Sequence, residues 1–148
     1  MKKAFLFLSA LALSVTIFAQ QKKAEEVVKF KELTWDFGKI KQGVPATHNF
    51  AFANISDAPV VIESAIPSCG CTTPVKPEAP IAKGQSDKII AGFNAAAAGP
   101  FNKTITVKVA GIDLPVQLKI VGEVLTADAY TKYQADKDQQ PKPAKSGN

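Results

Sequence analysis

Between Val27 and Leu125 the apolar residues recur at every second position in short runs, and turn-forming residues interrupt those runs about every ten positions. That period suits pleated strands with one buried face, because successive side chains of a strand point to opposite sides. Val28 and Phe30, then Trp35 and Phe37, lead to a turn at Lys41, Gln42 and Gly43. His48, Phe50 and Phe52 alternate with Thr47, Asn49, Ala51 and Ala53, and Asn54 to Pro59 supply the next turn. A β-branched strand starts at Val60, Val61 and Ile62 and runs toward Ile66, after which Pro67, Pro74, Pro77 and Pro80 mark an irregular stretch with little room for central strand pairing. Asp87 to Phe93, Phe101 to Val109 and Leu114 to Val124 complete the strands. No window carries apolar periodicity of helix length, and the alanines at 95 to 98 are confined by Asn94 and Gly99-Pro100 to one turn at most. The pattern predicts an all-β fold, an immunoglobulin-like β-sandwich of about seven strands. Phe30, Trp35, Phe37, Phe50, Phe52, Phe93 and Phe101 are expected to build its core, with His48 packed among them.

The flanks read differently. Lys2 and Lys3 precede an uncharged run from Ala4 to Ala19, which is the charged start and apolar centre of a secretory signal, with a small residue before a cut at Gln20. An uncleaved anchor is the alternative. The run is short of the 18 or more apolar residues a spanning helix needs, and Ser9, Ser14 and Thr16 interrupt it. Residues 1–19 are therefore expected to be removed, leaving an exported protein, periplasmic or extracellular, with no stable membrane insertion. A short polar leader over 20–26 follows, and residues 126–148, with Pro141 and Pro143 and no apolar periodicity, are expected to be a disordered polar tail.

Loss of the signal takes two of the 18 lysines and leaves a formal charge of +3 against 13 acids. Every positive charge is lysine. Without arginine the chain lacks the planar fork that clamps phosphate in two bonds, and its lysines form no stripe, so no nucleic-acid partner is expected. The sequence also lacks G-x-S-x-G, H-E-x-x-H and a P-loop, and its one histidine, His48, sits on an apolar strand face. No enzyme activity and no cofactor are expected.

Cys69 and Cys71, the two cysteines of the chain, flank Gly70 and are followed by Thr72. Residues two apart in extended chain have Cα atoms about 6.6 Å apart, the outer limit for a disulfide, and Gly70 can bend the backbone to shorten the gap. In an oxidising compartment an even cysteine count points first to a Cys69-Cys71 bridge supported by Gly70 and Thr72. Two packed thiols, a redox-exchange pair, and a metal site remain open alternatives. Redox exchange would call for a nearby cation, and Lys76 is the nearest in sequence. Zinc would need two further ligands, whereas Cu(I) accepts two thiolates alone.

The blocks WDFGKIKQG, HNFAFANISDAPVVI, CGCTTP, PIAKGQSDKIIAGFN, GPFNKTITV and LPVQLKIVGEV resemble, in this order and over about Thr34 to Val124, the bacterial DUF1573 domain. That family is similar to the immunoglobulin-like modules of the ASPM, SPD-2 and Hydin group. The resemblance implies a seven-stranded sandwich in an exported bacterial protein and brings no catalytic residues with it. Its own Cys-Gly-Cys block matches Cys69 to Thr72. The functional expectation is an exported, non-enzymatic module that binds a protein or envelope component through loops or a sheet edge. The alternative is a thiol-redox or Cu(I)-binding protein acting through Cys69 and Cys71.

Overall fold

In the structure, a computed structural model that describes residues 21–139, eight strands form two four-stranded sheets packed face to face. One sheet orders β1 (Val28–Phe30), β3 (Ala46–Asn54), β6 (Ser86–Phe93) and β5 (Thr72–Val75), all pairs antiparallel. The other orders β2 (Thr34–Lys41), β8 (Val116–Leu125), β7 (Gly99–Val109) and β4 (Ile62–Pro67), with β2 running parallel to β8. The sandwich expected from the two-residue period is thus present. It has one strand more than about seven because β5 forms inside the proline-rich stretch, at a sheet edge where Pro74 displaces no ladder bond.

The alternating positions meet between the sheets. Phe50 and Phe52 of β3, Ile89, Ala91 and Phe93 of β6, Ile105, Val107 and Val109 of β7, and Leu118 and Ile120 of β8 are all buried. Burial of this apolar area supplies most of the drive to fold. Four of the expected core groups lie at the margin of the core. Phe30 and Phe37 are half-buried. Trp35 is 36% exposed and closes the side of the sandwich by stacking on His48 at 3.9 Å. His48, 14% exposed, donates its Nε2–H to Glu32 Oε1 at 2.9 Å, so a polar contact accompanies its packing.

Both flanks carry more order than their polarity suggested. Leu114 N–H donates to Lys22 O and Ala24 N–H to Leu114 O, which stitches the leader to the turn before β8 and buries Ala24 at the start of a short 3-10 turn. At the other end a helix, α1 (Ala127–Gln139), replaces the expected disordered tail over those residues. Its cause is local: Thr126 Oγ1 accepts the Ala129 N–H, Asp128 sits in the positive first turn, and Gln134 bonds Tyr130 one turn back. None of its residues is buried, which is why no apolar period announced it. The signal segment over 1–19 and the end of the tail, 140–148, lie outside the described residues. Among the described residues no helix is long and apolar enough to cross a membrane.

Candidate functional site

Two features stand out, a disulfide corner and an uneven pair of sheet edges. The chain leaves one sheet at the end of β4 and enters the other at β5, and the switch is made by Ser68 to Cys71. Ser68 N–H donates to Thr104 O and its hydroxyl accepts the Thr104 N–H, fixing the corner to β7. Thr72 N–H closes a turn onto Cys69 O, and Asn94 N–H holds Cys71 O to the end of β6. Within this frame Cys69 and Cys71 are joined as a disulfide, their Cα atoms 5.3 Å apart, shorter than the extended spacing. Bonded to each other, the sulfurs offer no thiolate to a soft metal. Among the described residues no group of three or more His, Cys, Asp or Glu side chains gathers for a metal ion.

Both cysteines are half-exposed and Gly70 is exposed, whereas Thr72 is 1% exposed. Its Oγ1 lies 3.7 Å from Cys69 Sγ and 3.9 Å from Cys71 Sγ, and because a disulfide has no S–H, the threonine hydroxyl is the donor. Cys71 also lines a pocket of about 190 Å³ together with the stacked pair Phe93 and Phe101 and with Lys103. Lys103 is the residue that sequence reasoning missed. It lies on the inward register of β7 with Phe101 and Ile105, and continuing the β4 to β7 register past Pro67 opposite Ile105 and Ser68 opposite Thr104 sets it across from Cys69. Lys76, the nearest cation in sequence, is paired with Glu78 at 3.3 Å.

The edges follow from ladder alternation. Because Ser68 engages β7, Ser64 and Ile66 do so as well, and Ala65 and Pro67 turn outward. By the same count Cys71, Thr73 and Val75 engage β6, and Thr72 and Pro74 turn outward. Each of these edges therefore presents a proline, which has no N–H to offer an added strand. β2 is different. Lys119 N–H donates to Leu33 O and Gln42 N–H to Leu125 O, so Thr34 and Asp36, then Lys39 and Lys41 beyond a bulge, aim their backbone groups outward. Gly38, at φ +64°, makes the bulge and Asp36 Oδ1 accepts its N–H at 2.7 Å. Exposed Leu33 and Trp35 flank this edge, and α1 packs beside its far half, where Lys39 Nζ lies 5.1 Å from the Tyr133 ring centre.

Two sheets packed in this manner, with parallel β2 and β8 at one side and a disulfide corner at the other, define an immunoglobulin-like β-sandwich module. The profile of the family described as "Protein of unknown function (DUF1573)" matches residues 14–124, and the chain belongs to that family. Solved structures share the fold. A protein of unknown function from Porphyromonas gingivalis W83 aligns with a TM-score of 0.57 at 15% identity, over 66% of this chain and 46% of that one. The ASH / PapD-like domain of human CEP192 aligns with a TM-score of 0.57 at 11% identity, over 86% of this chain and 98% of that domain. A part of the Vibrio cholerae VesB protease aligns with a TM-score of 0.54 at 12% identity, over 69% of this chain and 33% of that one. The chain thus spans less than half of the P. gingivalis and V. cholerae proteins, and at these identities the likeness is one of fold. No curated protein matches the chain.

Proposed function

We propose that this protein is an exported, non-enzymatic immunoglobulin-like module that binds a partner protein of the cell envelope by accepting an extended segment along β2. The observation that carries this reading is the asymmetry of the edges in the sheet β2-β8-β7-β4: Pro67 blunts β4, while β2 presents Thr34 and Asp36 with no proline among its eight residues. An open strand edge recognises extended backbone by hydrogen bonds, and exposed Leu33 and Trp35 give an incoming strand apolar surface to pack on. Export rests on the segment from Lys2 to Ala19.

Thr34→Pro is the direct test. It removes one outward N–H from the open edge and none from the ladder with β8, so the fold holds and the envelope complex seen by crosslinking in intact cells is lost. Ala65→Pro, at the edge already blunted, leaves that complex in place. Equal effects of the two substitutions would refute the assignment of the edge. Sequencing the N-terminus of the protein from the envelope fraction tests export, with Gln20 expected first and Met1 counting against it.

A further inference from the structure

We infer that the Cys69-Cys71 disulfide is a thiol-exchange site, at which a cysteine of a partner polypeptide seated in the Phe93, Phe101 and Lys103 pocket attacks Cys71 and forms a mixed disulfide. The chemistry balances without a further reagent. The partner thiolate forms a new S–S bond to Cys71 Sγ, the Cys69-Cys71 bond breaks, and its electron pair leaves on Cys69 Sγ as thiolate. Reversal of the same step releases the partner.

Four observations assign the parts. Cys71, and not Cys69, lines the pocket, so a side chain held there meets Cys71. Lys103 lines the same pocket and has no ion pair among the described residues, which leaves its charge to draw in and favour an incoming thiolate. With Cys71 attacked, the leaving sulfur is Cys69 Sγ, which lies 3.7 Å from the buried Thr72 hydroxyl, a group able to donate to the emerging charge. Finally, the bridge closes a ring over a sequence separation of two, so its opening releases little chain entropy and leaves both sheets in place. The corner itself stays fixed by the bonds of Ser68 to Thr104 and of Asn94 to Cys71, none of which passes through sulfur.

The experiment uses the folded, oxidised protein and two small thiols, reduced glutathione, which is anionic, and 2-mercaptoethanol, which is neutral. Samples are quenched by alkylation and read by intact mass and peptide mapping. The expected result is a mixed disulfide on Cys71 with an alkylated Cys69, formed while the circular dichroism remains native. Lys103→Met slows the glutathione reaction by about threefold or more and the 2-mercaptoethanol reaction less. Thr72→Val slows both by about threefold. Should Thr72→Val lower the melting temperature enough to cloud the comparison, the half-buried Lys103 variant, its own melting temperature checked in the same way, decides alone. An adduct that forms only on the denatured chain, an adduct on Cys69, or rates with glutathione unmoved by Lys103→Met would each overturn the assignment. None of these readouts involves β2, so the edge and the exchange site stand or fall separately.

Discussion

Replacing Asn54 with alanine should destabilise the domain by about 2–3 kcal/mol, and the structure shows why the figure is neither larger nor smaller. Asn54 is 1% exposed at the end of β3 and spends its whole side chain on one junction. Its Nδ2 donates to Ala58 O at 2.8 Å and to Ile81 O at 2.9 Å, while Oδ1 accepts Ser56 N–H at 2.9 Å and the Ser56 hydroxyl at 2.7 Å. At about 1 kcal/mol for each bond, four would total about 4 kcal/mol. Two of the groups keep or gain another partner, however: Ile81 O also accepts from Val60 N–H, and Ala58 O, within 2.8 Å of the Ser56 hydroxyl, can take the one proton that Oδ1 no longer holds. Truncation therefore strands fewer groups than it disconnects. For a domain of this size the loss corresponds to a fall in Tm of about 10–20 °C, measured by circular dichroism. Asn54→Asp sharpens the test. It is isosteric and keeps the acceptor for Ser56, but at neutral pH it sets a carboxylate against the Ala58 and Ile81 carbonyl oxygens, so it should be less stable than Asn54→Ala. Burial and the facing carbonyls raise the folded-state pKa of such a carboxyl above the unfolded value of about 3.9. The penalty is thus full above the folded pKa, shrinks as pH falls through it, and is gone below about pH 3.9, where the protonated acid also regains a donor. An Asn54→Ala variant that melts within 2 °C of the parent, or an aspartate variant that outlasts the alanine one at pH 7, would refute the reasoning.

Other substitutions separate the features of the fold. Replacing both Cys69 and Cys71 with serine should cost about 1.5 kcal/mol in urea unfolding, since the closed loop is so short. Gly70→Ala should change stability by less than about 0.5 kcal/mol and leave the disulfide intact by mass, because an added Cβ meets nothing within 4 Å. Gly122→Ala should cost about 3 kcal/mol or more: φ is +154° and the new Cβ would lie 2.8 Å from Gly38 O and 2.8 Å from the Phe101 ring, so β2 must shift off β8 at its bulge. Ending the chain after Thr126 should move Tm by only a few degrees, since α1 buries none of its residues.

What could be read from sequence depended on whether the signal was a period or a coincidence of distant residues. Phe50 and Phe52, or Ile105, Val107 and Val109, declare a buried strand face within a few residues, and all five are buried between the sheets. A Cys69-Cys71 bridge could be read only as the first of several alternatives, because a spacing of two sits at the outer limit of disulfide geometry until Gly70 bends the chain. By contrast, α1 rests on a threonine cap and polar one-turn contacts, which leave no apolar stripe to detect. Trp35 carried the pattern of a core residue, but its strand is an edge, and a side chain at the margin of a sheet is covered on one side only. Lys103 was beyond reach for a further reason. Its place beside the cysteines is set by the register of β4 on β7, and no local pattern around Lys103 encodes which residue of another strand it will face.

The proline at the β4 edge also limits how many neighbours this sheet can have. A sheet with two receptive edges can propagate, each added copy offering a fresh template to the next, as in fibrils. Here Pro67 blunts one side, so on the proposed mode of binding an addition at β2 would end the process it begins. On the proposed mode of binding the sheet has a valence of one: a guest strand would complete it without making it a link in a chain.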